Sequence, residues 1–312
     1  MRVGIVGTGG VGGLLGGLLA RQGTEVALLA RGAHAAALRD HGLHIQGTVG
    51  EFTVAPAAVA ASGDTLGPCD VVFVAVKTWQ LDAVIGDVRA MMRDGTVVVP
   101  LQNGIASWDR LAAALGGAAV AGGIIFVNSW VAAPGVIRQL GALIRLVLGE
   151  RAGGPSARLA ALGAVVGSAG GVTVDVVNDV TRVNWEKFLG FEPMAVVGAL
   201  SRNPIGRFRA DPATRGLLIA LMHEVAAIGR ACGVALDDDA VDRRLAIIDG
   251  LAPDATISMQ RDLIAGRPSE LREQSLGLLD LARARGVATP VHDACVPPLA
   301  LQETAARQGG AA

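Results

Sequence analysis

Apolar positions in the first half of the chain follow two alternating patterns. Short, nearly continuous apolar runs at Arg2–Val6, Glu25–Ala30, Asp70–Val76 and Thr96–Leu101 have the β-branched character of strands buried on both faces. Helical stretches lie between them, one from a glycine turn to about Gln22 and one from about Thr78 to Met92. This alternation predicts an α/β fold, with an N-terminal Rossmann-type doubly wound parallel sheet. From about Ala118 to Glu150 the runs shorten and predict further strands, with a turn at Pro134-Gly135. Past Asp179 strand signals nearly vanish and long helical patterns take over. Asp211 followed by Pro212 marks a helix start, and Gly233 follows its end. Asp254 or Thr256 opens another helix, and Ser269 a third that runs to Gly286. The closing ARQGGAA is expected to fray. The expected division is residues 1–178 and an all-helical C-terminal domain over 179–312.

Composition narrows the classes. Apolar residues make up 51% and charged residues 18% of 312, enough for large cores and too little charge for disorder. A net charge of −1 gives no electrostatic footprint for nucleic acid or an anionic membrane. Cys69, Cys232 and Cys295 are odd in number and have no metal spacing, so they are expected as buried thiols in a reducing compartment. His34, His41 and His44 have no acid or cysteine to complete a metal set, and no metal is expected. His223 and His292 are expected on helix surfaces or in packing roles. Asp237–Asp239 is expected as an acidic helix start, and the four tryptophans as packing residues. Eight glycines between Gly4 and Gly17 argue against a signal-peptide helix, and no long apolar stretch predicts a membrane span. The expectation is a cytoplasmic protein, with a homodimer left open.

The candidate chemistry starts at residue 7. Gly7, Gly9 and Gly12 stand in G-x-G-x-x-G register after a strand and at the head of a helix. Such glycines permit a tight turn, close approach to a pyrophosphate and close helix–strand packing. Residues Gly7, Thr8, Gly9, Gly10, Val11 and Gly12 are therefore the expected phosphate-binding loop. The second strand ends in Arg31, and no acid follows before Asp40. A guanidinium suits a 2′-phosphate, which predicts NADP(H) rather than NAD(H). Two of the 27 basic residues are lysine, Lys77 and Lys187; the rest are arginine. A lysine can give up its proton when burial lowers its pKa, which a guanidinium cannot do. Both are thus candidates for chemistry.

With the fingerprint, Arg31, "VKTWQ", "LQNG" and Lys187 in this order, the chain resembles the ketopantoate reductase (2-dehydropantoate 2-reductase) family over essentially its whole length. The resemblance implies an NADPH-dependent enzyme that reduces a small 2-oxo acid, ketopantoate to pantoate by default, in pantothenate biosynthesis. It further implies that Lys77, Gln80 and Asn103 flank nicotinamide and substrate, and that Lys187 is the general acid. Ser258 and Glu270, in "SMQRDLIAGRPSE", are implied to bind substrate and order the site, with Glu270 also near the cofactor. Elementary chemistry agrees: a ketone gains negative charge on oxygen as it is reduced, and a positioned ammonium can stabilise and protonate it.

The chain also departs from the family pattern. Asparagines commonly stand four, eight and eighteen residues after the catalytic lysine; here those places hold Phe191, Ala195 and Ile205. An Asn-Gly pair five residues past the glutamate reads Ser275-Leu276. These changes predict a more apolar pocket for the substrate's tail, with Asn203 in partial compensation. Three functions follow as alternatives. The first is a 2-oxo acid reductase. The second keeps cofactor and acid but acts on a more apolar ketone or imine. The third is a non-catalytic NADP-binding regulatory protein, which would not need Lys187 and Glu270.

Overall fold

A computed structural model describes residues 1–309, the side chains of 142, 143 and 309 excepted. The chain divides into two compact units, one of residues 1–103 and 107–180, the other of residues 104–106 and 181–309.

The first unit opens with β1 (Arg2–Val6), α1 (Gly10–Arg21), β2 (Glu25–Leu29) and α2 (Gly32–His41). Next come β3 (Leu43–Gly47), β4 (Gly50–Val54), β5 (Ala58–Ala60), α3 (Gly63–Leu66), β6 (Val71–Val74), a short 3-10 turn at Thr78–Gln80, α4 (Leu81–Ala90) and β7 (Val97–Pro100). It closes with α5 (Ser107–Leu115), β8 (Gly122–Ala133), β9 (Val136–Gly149), α6 (Ala157–Gly167) and β10 (Thr173–Val176). Strands β5-β2-β1-β6-β7 form one all-parallel sheet, the doubly wound α/β arrangement that the apolar runs predict. Its centre is β-branched and aliphatic because helices cover both faces: Val3, Ile5, Val72 and Phe73 are wholly buried.

A second, mixed sheet was not foreseen. It runs β10-β9-β3-β4, with β8 on β9. Where shortened runs were expected, β8 and β9 form a long antiparallel hairpin that turns at Pro134-Gly135. One edge of β9 pairs with β8, while the other is shared by β3 near its start and β10 near its end.

The second sheet explains the glycines of α1. A Cβ at Gly16 would press on Ile5 and Leu28 of the parallel sheet, and one at Gly12 on Ile5 and Ala75. On the opposite side, a Cβ at Gly13 or Gly17 would meet Ile137 or Ile45 of the mixed sheet at about 2.9 Å or less. The helix is held between two sheets, and only residues without a side chain let both approach. These glycines are therefore required by the packing of α1 between the two sheets.

The second unit is helical among its described residues: α7 (Val180–Ser201), α8 (Ile205–Ala210), α9 (Pro212–Ala231), α10 (Ala240–Asp249), α11 (Ser258–Ile264), a π-turn at Arg272–Leu276, α12 (Gly277–Arg285) and α13 (Pro290–Gly309). Asp211 caps α9 by accepting from the Ala213 and Thr214 N–H groups, as its place before Pro212 predicts. Other boundaries moved. The helix expected from Asp254 or Thr256 starts at Ser258. The one expected from Ser269 begins as the π-turn. Of the tail, α13 includes the residues up to Gly309, and residues 310–312 lie outside the described residues.

Two side chains bear on the surface-or-packing expectations. His292 takes the packing alternative and is fully buried. Its Nδ1 lies 2.6 Å from Glu224 and its Nε2 3.1 Å from Glu192, whose other oxygen accepts from Ser275 Oγ. Burial alone would push its pKa down, yet the two carboxylates outweigh that and hold it above the usual imidazole range. Trp130 is not packed away but 38% exposed. Among the cysteines, Cys69 is buried as expected, whereas Cys232 and Cys295 are half-buried. No group of three or more His, Cys, Asp or Glu that could hold a metal occurs among the described residues. Among them, no helix is long and apolar enough to cross a membrane.

Candidate active site

In the first unit, four adjacent strands deliver the expected residues at their carboxyl ends. Reading across the sheet, Arg31 follows β2, Gly7 follows β1, Lys77 follows β6 and Asn103 follows β7. This is the edge where open α/β sheets bind ligands.

The glycine loop divides its tasks. Gly7 has φ +96°, and a Cβ there would lie 2.6 Å from the Val76 nitrogen, so only glycine fits between β1 and the Lys77 segment. Gly12 must be bare because Gly7 O, Ile5 and Ala75 crowd it. Gly9 differs: a Cβ there would meet nothing within 4 Å. Fold packing does not require glycine at that position, whereas close approach of a diphosphate does. Gly9 is the N-cap of α1, with no side-chain cap, and the first turn of α1 carries no acid. The positive end of the helix and its leading N–H groups, from Gly10 and Val11 onward, are left for an anion. These residues fit the dinucleotide that the motif implies.

Thr8 is buried, and its carbonyl accepts from His34 Nε2 at 2.9 Å. His34 Nδ1 accepts from the Gly135 N–H at 3.0 Å. Because one partner accepts and the other donates, His34 is neutral with its proton on Nε2. Burial keeps its pKa below the usual range. His34 thus ties the glycine loop to α2 and the β8–β9 turn, a bridge with no local signature along the chain.

Arg31 is 55% exposed on its side chain. Its Nη2 donates to Asp87 at 2.8 Å and its Nε to the Ala61 carbonyl at 3.2 Å. These bonds fix the guanidinium beside the end of β2. Lys77 is half-buried, with Nζ 5.7 Å from the Trp79 ring centroid. Gln80 is exposed, and its Oε1 accepts from the Lys77 N–H at 3.2 Å while its own N–H donates to the Lys77 carbonyl. Gln80 therefore fixes the turn that presents Lys77. The "LQNG" segment holds another residue that pattern reading passed over. Gln102 is buried, and its Nε2 donates to the carbonyls of Val74 and Val76 at 2.9 and 3.0 Å. It locks Asn103 beside the Lys77 segment.

In the second unit, α7 carries the other lysine. Lys187 is half-buried, its Nζ 5.6 Å from the Phe191 ring centroid one turn on. Burial lowers its ammonium pKa to about 7; the positive Arg244 adds to the drop, and Glu270 opposes it. Arg244, on α10, donates from Nη2 to the Lys187 carbonyl at 2.8 Å. It lies against Gly190, where a Cβ would sit 2.7 Å from the Arg244 Nε. Glu270 is buried just ahead of the π-turn. The structure thus brings Lys187 and Glu270 into one electrostatic group. Ser258 is half-buried at the first position of α11.

The apolar-pocket expectation needs correction. Ala195 and Ile205 are at most 1% exposed and belong to the hydrophobic core of this unit. Only Phe191 stands beside Lys187. Asn203 is exposed, and its Nδ2 donates to the Ser201 carbonyl at 2.6 Å, within a turn where Arg202 has φ 56°.

Comparison with known proteins identifies the family. The family model for ketopantoate reductase PanE/ApbA matches residues 3–153, and that for its C-terminal part matches residues 179–299. A 2-dehydropantoate 2-reductase of Mesorhizobium japonicum is 32% identical over 315 residues, covering 94% of this chain and 95% of the relative. The crystal structure of 2-dehydropantoate 2-reductase from Geobacter metallireducens GS-15 is 30% identical with a TM-score of 0.89, covering 96% of this chain and 99% of that one. A PanE/ApbA family ketopantoate reductase from Ralstonia eutropha JMP134 is 27% identical, also at TM-score 0.89, covering 98% and 100%. The chain belongs to the ketopantoate reductase family and is a nicotinamide-dependent oxidoreductase acting on a keto/hydroxyl pair.

Proposed function

We propose that the protein reduces a 2-oxo acid with NADPH, ketopantoate to pantoate being the default, with Lys187 as the general acid. The observation that carries this reading is Lys187 itself: a half-buried ammonium beside Glu270, with a pKa of about 7. A proton donor works best when its pKa lies near the working pH. A regulatory protein that only senses the dinucleotide has no use for such a group.

When bound, the nicotinamide supplies the hydride. The chain does the rest. Residues 7–12 hold the diphosphate through backbone N–H groups and the start of α1. Arg31 holds the 2′-phosphate with the part of its guanidinium not engaged by Asp87 and Ala61, and this sets the preference for NADPH. Lys77 and Asn103, at neighbouring strand ends, position the reacting groups. Lys187 stabilises the developing alkoxide and gives it a proton, while Glu270 holds the ammonium and Ser258 donates to the substrate carboxylate. In this division of labour, residues 1–178 serve the cofactor and 179–312 serve substrate and catalysis. A second reading, a more apolar ketone or imine, keeps one supporting observation, the Phe191 ring beside Lys187.

The test is direct. The purified protein is mixed with NADPH and a panel of 2-oxo acids, and the nicotinamide absorbance is followed. Oxidation that depends on a 2-oxo acid is expected, at a higher rate with NADPH than with NADH. Oxidation only with simple ketones or imines favours the second reading, and equal use of the two cofactors refutes the role given to Arg31.

A further inference from the structure

The π-turn at Arg272–Leu276 interrupts what would otherwise be regular helix, and such interruptions concentrate at functional sites. Its polar side chains have different fates. Ser275 Oγ donates to Glu192 at 2.5 Å and is fully used inside the unit. Gln274 is 1% exposed, and both its Nε2 and its Oε1 are buried without a hydrogen-bond partner. Leaving both ends of an amide unmet in a protein interior is costly, and native structures rarely tolerate it without a reason.

The surroundings of Gln274 supply a reason. Its N–H donates to the Glu270 carbonyl, which places it one turn beyond Glu270. A Cβ built on Gly104 would lie 3.7 Å from Gln274 Cγ, so the two are neighbours. The Gly104 carbonyl also accepts from Asn184 Nδ2 at 3.0 Å, and Asn184 is one turn before Lys187 on α7. Two turns therefore run side by side. One end holds the acid pair Lys187 and Glu270; the other holds Asn184, Gly104 and Gln274.

We propose that Gln274 is a specificity residue, its amide holding a hydroxyl on the chain of the substrate. The proposal rests on the reductase reading above and adds the substrate's polar group to it. An amide offers a donor and an acceptor together. A carboxylate would satisfy Nε2 and oppose Oε1, whereas a hydroxyl accepts from the first and donates to the second. The positions expected to face the substrate's tail cannot serve, since Ala195 and Ile205 lie in the core. Gln274 supplies the polar contact in their place.

The test uses Gln274→Leu and Gln274→Met, which keep the approximate volume and remove both polar atoms. The first readout is substrate discrimination: kcat/KM for a 2-oxo acid with a chain hydroxyl, divided by that for the same acid without it. The native protein is expected to favour the hydroxylated acid at least tenfold, and the variants to bring the ratio near one, the scale of a lost neutral hydrogen bond in a closed site. NADPH affinity, measured by fluorescence titration, should not follow. The second readout is thermal unfolding of the ligand-free protein. An amide that is unpaired without substrate makes the apolar variants more heat-stable, by about 2 °C or more. A ratio that survives in both variants, a lowered midpoint in both, or a loss of NADPH affinity would each overturn the proposal. If the native protein reduces neither acid, the reductase reading itself has failed; the unfolding midpoints still decide whether Gln274 is unpaired.

Discussion

The two units carry their candidate functional residues in different ways. The first uses backbone: a loop of glycines, a helix start with no acid in its first turn, and four strand ends side by side. The second uses side chains carried on helices, with Lys187 under the opposing charges of Arg244 and Glu270. Backbone sites bind through geometry, so their tolerance to change is set by space. Side-chain sites act through charge, so their tolerance is set by pKa. The same substitution logic should therefore fail when moved from one unit to the other.

The largest effect is expected in the glycine loop. Gly12→Val would push a branched side chain into Gly7, Ile5 and Ala75, at or above the usual 1–3 kcal/mol of overpacking. Urea unfolding should show that loss, and dinucleotide binding should go with it. Gly9→Ala sharpens the contrast, because its Cβ meets nothing within 4 Å. Stability should stay within roughly 0.5 kcal/mol, while NADPH affinity falls. If Gly9→Ala unfolds as easily as Gly12→Val, the division between packing and ligand glycines is wrong.

In the second unit, Lys187→Ala and Lys187→Arg should each lower kcat by at least about 10²-fold, the usual scale for general acid catalysis. NADPH titration should be unaffected, since no residue of the glycine loop is touched. Arginine fails despite its charge because a guanidinium does not release a proton near neutral pH. A smaller effect is expected at Arg31, whose role is a single charge-assisted contact worth about 1.5–3 kcal/mol, or about 10- to 150-fold. Arg31→Gln should weaken NADPH by that factor and leave NADH nearly unchanged. Equal weakening of both cofactors would assign Arg31 to its bonds with Asp87 and Ala61 alone.

How much of this was legible in the sequence follows the same contrast. The parallel sheet and the fingerprint could be read because strand period and glycine register are local. The mixed sheet could not, since β3 and β4 are half polar and β3 finds its partner β9 some ninety residues further on. For the same reason nothing local marks the glycines at 13 and 17 as packing positions, since their opposing residues are Ile137 and Ile45. Lys187 stood out because lysine is so rare here, whereas Gln102, His34 and Gln274 are ordinary residues whose meaning lies in distant neighbours. Phe191, Ala195 and Ile205 show the limit most plainly: apolar character suits a pocket wall and a core equally, and only packing separated them.

In the proposed reaction Lys187 works as an acid because its surroundings bring its pKa close to neutrality. The pH dependence of kcat/KM for reduction, in native protein and in Arg244→Met, tests it most directly. Burial and Arg244 disfavour the ammonium, so the reactive protonated form is lost as pH rises through about 7. The native rate should therefore fall about tenfold per pH unit above that point. Removing the positive neighbour should move the break to higher pH. A native rate that stays level to pH 9, or a break that does not move in Arg244→Met, would contradict the account.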